Sequence, residues 1–375
     1  MSLPLIVPRE IGDSIRVMIV DDAVVVRELM ARWLSEEQGV EIVGVFRNGR
    51  DAVNNLLRSR PDVIVLDIDM PELDGLAALP LLLARKPNLV IIMSSTLTRK
   101  NAEVSLKALS LGATDYITKP ETNREVIVSQ SFRREIVDKI RHLGRRRVSS
   151  PVQARTPGHR AKFEDARARG PAITLRPFSI IPPGLLAIGS STGGPQALHV
   201  LIRGLSPILS RFPVVIAQHM PPMFTTILAE HLGRTANRPA HEGIQGEILK
   251  PGHIYVAPGG KHMKIERHFD VLKIVLDDGP PIHFCKPAVD PLFISAAAAI
   301  GRGVLGVVLT GMGTDGSEGT SVIAAAGGAV IAQDETSSVV WGMPGASVRT
   351  GLCSAVLPID NIAPKIATLF NGELS

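Results

Sequence analysis

Cysteine is nearly missing from this chain, with two in 375 residues, Cys285 and Cys353. They lie far apart without the spacing of a metal-binding pair, and no histidine cluster has zinc-ligand spacing. A disulfide scaffold and a structural zinc are therefore excluded, and a reducing cytoplasm is the expected location. Also missing is any apolar run near the roughly 18 to 20 residues that cross a bilayer, and the first residues, Met1 to Pro8, lack a basic stretch, so neither membrane insertion nor secretion is expected. No internal repeat is visible, which excludes a repeat architecture.

What is present points to two cored domains. The hydrophobic content is 45%, and a chain of this length accommodates domains of roughly 100 to 200 residues each. The formal net charge of +5 has a local origin. Between Arg141 and Gly170 nine basic residues face only Glu164 and Asp165, and prolines interrupt any helix after Ser150. Nine minus two already exceeds the whole-chain charge, so neither domain need be basic. With Phe163 the only interleaved aromatic, a flexible basic linker is favoured over a nucleic-acid tail. The expected division is an extension at residues 1–14, a first domain at 15–140, the linker at 141–182 and a second domain at 183–370.

In the first domain, apolar strand runs alternate with helical stretches. The runs are Ile15–Val20, Glu41–Val45, Val63–Leu66, Leu89–Met93 and Asp115–Lys119, and this alternation predicts a (βα)5 doubly wound parallel sheet. Helices are expected near residues 25–34, 50–59 and 102–111, with a turn at Asp74-Gly75. The polar residues collect at strand ends: Asp21 and Asp22, Asp67, Ser94 and Lys119. Singly, acids at loop starts are merely solvated, but three carboxylates converging on one sheet edge repel one another. A hard divalent cation such as Mg²⁺ relieves that repulsion and can seat a phosphoryl group.

The second domain opens on Leu185-Leu-Ala-Ile-Gly189-Ser190-Ser191-Thr192-Gly193-Gly194-Pro195, which reads as strand, sharp turn and helix. Gly189, Ser191 and Gly193 satisfy G-x-S-x-G, the pattern that holds a serine oxygen out of a sheet edge. A Gly-rich turn binding an anion at the helix N-terminus reads equally well from this motif alone. A nucleophilic serine needs a base and an orienting acid. Two further apolar runs supply them, one ending at His219 and one leading to Asp315 through Gly311-Met312-Gly313-Thr314. In a parallel sheet these three strand ends share one edge. The segments Lys264-Ile265 and Val271–Leu276 predict an appended hairpin, the fold being otherwise doubly wound, mostly parallel α/β. His262 lies near a loop that can line the cleft.

The G-S-S-T-G-G-P, Q-H-M-P and L-T-G-M-G-T-D-G segments, in that order, resemble the catalytic domain of the chemotaxis protein-glutamate methylesterases, the CheB family. The likeness spans nearly all of residues 183–370. It implies a catalytic triad of Ser191, His219 and Asp315 and no cofactor in the esterase site. Backbone oxyanion donors are then expected at Thr192 and Met312. Residues 15–140 resemble the receiver domain of two-component response regulators. That likeness implies phosphorylation at Asp67, Mg²⁺ held by Asp21, Asp22 and Asp67 with the Ile68 carbonyl, and switch residues Ser94, Tyr116 and Lys119. Together they imply a cytoplasmic, phosphorylation-activated hydrolase of glutamate methyl esters on chemoreceptors, also deamidating receptor glutamines, with a chemotaxis histidine kinase as phosphodonor and no nucleic-acid partner. A response regulator with a non-catalytic binding module, or a small-molecule acyl hydrolase, is the competing reading. The unphosphorylated receiver is expected to rest against the catalytic edge.

Overall fold

The structure is a computed structural model that describes residues 14–120, 129–148 and 174–372, with the side chains of 145–148 left aside. The first sheet comprises β1 (Ile15–Val20), β2 (Val40–Phe46), β3 (Val63–Asp67), β4 (Val90–Thr96) and β5 (Asp115–Lys119) in the order β2-β1-β3-β4-β5, all pairs parallel. Its helices are α1 (Val24–Ser35), α2 (Gly49–Ser59), α3 (Gly75–Arg85), α4 (Arg99–Ser110) and α5 (Gln130–Val148). Helices on both faces bury every residue of β3, which is why the strands read as continuous apolar runs and not as alternations.

Two expectations are corrected here. Asp74-Gly75 is not an isolated turn but the start of α3, where the Asp74 side chain accepts from Ala77 N at 2.7 Å. Asp serves turns and N-caps by the same side-chain-to-backbone bond, so the dipeptide alone does not separate them. The chain also does not become a linker at residue 141, because α5 runs on to Val148. Phe132, Ile136, Ile140 and Leu143 are buried on one face of it, and Arg141 pairs with Glu37 at 2.6 Å. Charge density hid an apolar stripe of helical period. The remaining expected linker at 149–173 and the extension before Ser14 lie outside the described residues.

The second sheet has seven parallel strands: β6 (Leu185–Ser190), β7 (Val214–Gln218), β8 (Ala240–Glu242), β9 (Ile254–Val256), β12 (Val304–Val308), β13 (Ala329–Gln333) and β14 (Ala355–Leu357). Their order is β14-β13-β12-β6-β7-β9-β8. Between β9 and β12 the chain forms the expected antiparallel hairpin, β10 (His262–His268) with β11 (Val271–Asp277). The helices are α6 (Gly194–Leu205), α7 (Phe224–Ala236), α8 (Val289–Ile300), α9 (Ser317–Ala325), α10 (Met343–Arg349) and α11 (Ile359–Phe370). The strand order reverses at β1 in one sheet and at β6 in the other, and a crevice opens at such a point beyond the strands' carboxyl ends.

The two domains touch through named side chains. The Tyr116 ring stacks on Phe224 with centroids 4.7 Å apart and planes within 9°, and Arg99 pairs with Glu230 at 2.8 Å. Gln196 Nε2 donates to the Ala113 carbonyl at 3.2 Å, and the Arg134 guanidinium lies 4.3 Å from the centre of the Phe284 ring. Val340, with Met312 and Val339 beside it, packs into the apolar cluster formed by β1, α1 and α5. Among the described residues no helix is long and apolar enough to cross a membrane.

Candidate active site and phosphoacceptor site

Ser191 follows β6 directly, and its turn depends on glycine at several places. Gly193 has φ +74°, and a Cβ there would lie 2.6 Å from Val339; one on Gly311 would lie 2.9 Å from the Ser191 Cβ. The neighbouring hydroxyl is disposed otherwise. Ser190 is fully buried, and its Oγ donates to Gln218 Oε1 at 2.6 Å. Gln218 Nε2 in turn holds the Ser191 carbonyl at 3.0 Å. Of the two serines, Ser190 is thus engaged inside the sheet edge, whereas Ser191 is half-buried and its hydroxyl makes no hydrogen bond, to His219 included, among the described residues.

His219 leaves the end of β7 with its backbone N–H bonded to the Ser190 carbonyl at 3.1 Å. Its Nε2 meets Asp315 Oδ2 at 2.7 Å, and the Cys285 side chain lies against the ring as well. Asp315 is buried and receives three more donors: Val289 N at 2.6 Å, Asp290 N at 2.9 Å and Gly316 N at 2.9 Å. The first two are the opening N–H groups of α8, which has no side-chain cap of its own. Asp315 therefore caps that helix from another element, and the helix dipole favours its charge. Burial alone would raise its pKa, but His219 and these N–H donors outweigh burial and hold it at about 2. Burial alone would lower the His219 pKa, whereas the Cys285 sulfur and the Asp315 carboxylate beside the ring act in the opposite direction and raise it.

The Thr192 and Met312 backbone N–H groups have no acceptor among the described residues. The Thr192 carbonyl is fixed by Thr310 Oγ1 at 2.9 Å. His262 is not on the substrate side. It is buried, with Nε2 on the Pro280 carbonyl at 3.0 Å and Nδ1 accepting from Ala288 N at 3.1 Å, so both ring nitrogens hold the loop before α8. Sequence reasoning missed Gln218 and Cys285. Gln218 adjoins a motif residue in the chain and was within reach, but no local signal attends Cys285.

At the other crevice Lys119 Nζ lies 2.7 Å from Asp67 Oδ1 and 3.1 Å from Asp21 Oδ2. Asp21, Asp22 and Asp67 present carboxylate oxygens within 4.8 Å of one another. One lysine against three acids leaves excess negative charge. Burial, only partly offset by Lys119, raises Asp67 to about 7, and Asp21 moves upward for the same reasons. A divalent cation suits this donor set. The Ile68 carbonyl accepts from Gly75 N at 2.9 Å, which leaves its second lone pair for a metal. A Cβ on Gly75 would lie 2.0 Å from the Asp67 carbonyl oxygen, so only glycine permits this approach. Ser94, which pairs in register with Asp67, carries a buried hydroxyl without a partner, as a group awaiting a phosphoryl oxygen would. Tyr116 is buried against Phe224.

Comparison with known proteins matches both domains. The CheB methylesterase model matches residues 186–366, and the response regulator receiver domain model matches residues 17–130. A protein-glutamate methylesterase/protein-glutamine glutaminase of Nitrobacter hamburgensis is 57% identical over 365 residues, covering 97% of this chain and 96% of that one. One of Rhodopseudomonas palustris is 55% identical over 372 residues, with the same shares covered. Among solved structures, the Thermotoga maritima CheB methylesterase catalytic domain is similar at 38% identity and a TM-score of 0.49, covering 50% of this chain and all of that one.

Proposed function

The chain belongs to the CheB methylesterase family, and from that premise we propose that Ser191, His219 and Asp315 form its catalytic triad, controlled by phosphorylation at Asp67. The enzyme is a protein-glutamate methylesterase and protein-glutamine glutaminase, a carboxylic-ester hydrolase carrying a response regulator receiver, and it acts in chemosensory signalling. The observation that carries the triad is the 2.7 Å bond from His219 to a fully satisfied Asp315, at a strand end beside Ser191. A binding module has no use for that pairing.

Ser191 Oγ attacks the methyl-ester carbonyl while His219 takes its proton, and the Thr192 and Met312 N–H groups receive the oxyanion. His219 then protonates the leaving methanol, or ammonia from a glutamine, and water releases the carboxylate through the reverse proton path. Both substrates converge on one acyl-enzyme. The substrates are glutamyl side chains of chemoreceptors, the phosphodonor is a chemotaxis histidine kinase, and the enzyme works in the cytoplasm. Residues 15–140 are the receiver and 183–370 the esterase. In the receiver, Mg²⁺ bound by Asp21, Asp22 and Asp67 supplies charge neutralisation for the phosphoryl group.

The contacts between domains support occlusion as the resting state. Met312, whose N–H is an oxyanion donor in this reading, packs against the apolar cluster that receiver residues form with Val340, and Phe224 begins α7 five residues after His219 under the Tyr116 ring. Methanol release from methylated receptor membranes, measured beside hydrolysis of a simple ester, tests the assignment. Release confined to the receptor substrate is expected, and turnover of the simple ester alone would favour a small-molecule hydrolase.

A further inference from the structure

Asp290, in the first turn of α8, is buried next to the Asp315 carboxylate, but the two acids are treated very differently. Asp315 takes four donors, whereas Asp290 takes one, Gly319 N on Oδ1 at 2.7 Å. Its Oδ2 is buried with no hydrogen-bond partner. The α8 N–H groups that would ordinarily stabilise an acid in this turn are spent on Asp315. The groups facing Asp290 are mostly anionic: Asp315 and Glu318 from the segment after β12, with His219 beyond Asp315. Among the described residues the one cationic candidate is His283, half-exposed in the turn before α8, with Nε2 at 3.9 Å from Oδ2. That is too far for a hydrogen bond. An ionised Asp290 would be a second buried negative charge, and one with a single donor. A protonated one would turn the orphaned oxygen into a donor, with the Asp315 carboxylate as the neighbouring acceptor.

We propose that Asp290 is a positioning residue of the catalytic centre, a buried carboxylic acid that holds its proton into the neutral range and, while protonated, donates it toward Asp315. The proposal rests on Asp315 being the triad acid. Burial and the Asp315 charge push the Asp290 pKa up to about 7, in keeping with that geometry. The proton does two things. It removes repulsion between the carboxyls, so that Asp315 stays in place under His219. It also draws charge from Asp315, which moderates how strongly that carboxylate holds a proton on the imidazole. Ionisation of Asp290 as pH rises through about 7 reverses both effects and leaves His219 less able to act as a base.

The full-length protein tests this by infrared difference spectroscopy and by kinetics. Wild type near neutral pH should show the carbonyl stretch of a protonated carboxylic acid that titrates around pH 7 and is missing from Asp290→Asn. This readout needs no turnover, so it stands apart from Ser191→Ala, whose retained activity would sink the triad itself. Asn keeps a donor toward Asp315 and an acceptor for Gly319, so Asp290→Asn should retain most of kcat at neutral pH and lose the pH-dependent step. Asp290→Ala should lower kcat about tenfold with little change in KM. If Asp290→Ala does not fold, the Asn variant decides alone. No acid band assignable to Asp290, or an unshifted pH step in Asp290→Asn, would overturn the proposal.

Discussion

The two crevices solve one problem in opposite ways. Each lies where the strand order of a parallel sheet reverses, and each collects carboxylates at strand ends. In the esterase domain Asp315 is surrounded by three backbone N–H groups and an imidazole, so its charge is fully compensated by the protein. In the receiver, Asp21, Asp22 and Asp67 share one lysine, and the balance of charge must come from outside. The first arrangement is a finished machine held ready. The second is a sensor, because only an anionic cluster short of positive charge responds to a cation and a phosphoryl group.

The strongest way to break this comparison is at the nucleophile. Ser191→Ala should cut methanol release by about 10³-fold or more, with His219→Ala comparable, since triad members act as a unit. Ser190→Ala, which removes only the hydroxyl bonded to Gln218, should cost far less, and the reverse ranking would show that the wrong serine is named. In the receiver the matching substitution, Asp67→Asn, should abolish labelling by a small phosphodonor with Mg²⁺ and the stimulation that follows.

A second test uses the opposite pKa shifts. Asp67 is raised from 3.8 to about 7, so the native receiver binds protons more tightly than the unfolded chain. Its contribution is complete below about 4 and is lost as pH rises toward 7. Asp315 is lowered from 3.8 to about 2, and its contribution is present above about 4 and is lost as pH falls toward 2. Thermal melts of metal-free protein should therefore show the receiver transition weakening from pH 4 to 7 and recovering on addition of Mg²⁺, whereas the esterase transition, in which Asp290 is raised in the same way, should not respond to Mg²⁺ and should weaken again below pH 4. A receiver melt indifferent to Mg²⁺ at pH 7 would remove the contrast.

The smallest expected effects sharpen how the two regions communicate. Tyr116→Ala, which removes the ring stacked on Phe224, should raise the basal rate of the unphosphorylated chain by about fivefold or more if the contact occludes the site. Arg99→Glu, set against Glu230, should raise it only about twofold, as expected of an exposed ion pair, and Glu230→Arg in the same chain should restore it. A fall in basal rate in both variants would mean that the receiver activates by contact.

Much of this molecule is determined locally. Apolar runs of strand length, glycines at turns and polar residues at strand ends depend on neighbours in the chain, so both sheets, the hairpin, the strand ends that carry Ser191, His219 and Asp315, and the acid cluster were legible before any coordinates. Where local chemistry was ambiguous the reading failed: Asp74 is both a turn and a cap residue, and the charges around Arg141 masked the buried face of α5. The rest belongs to tertiary structure alone. Ser190 and Ser191 are identical as letters, and only the Gln218 side chain, from the adjacent strand, withdraws one of them. Asp290 and Asp315 differ because the N–H groups of α8 reach one carboxylate and pass the other by. His262 looked like a cleft residue until its two ring nitrogens proved to be engaged by Pro280 and Ala288. Such distinctions depend on which donors meet which acceptors across 18 to 29 residues of chain, and a buried polar group's role is set by the partners that folding brings to it.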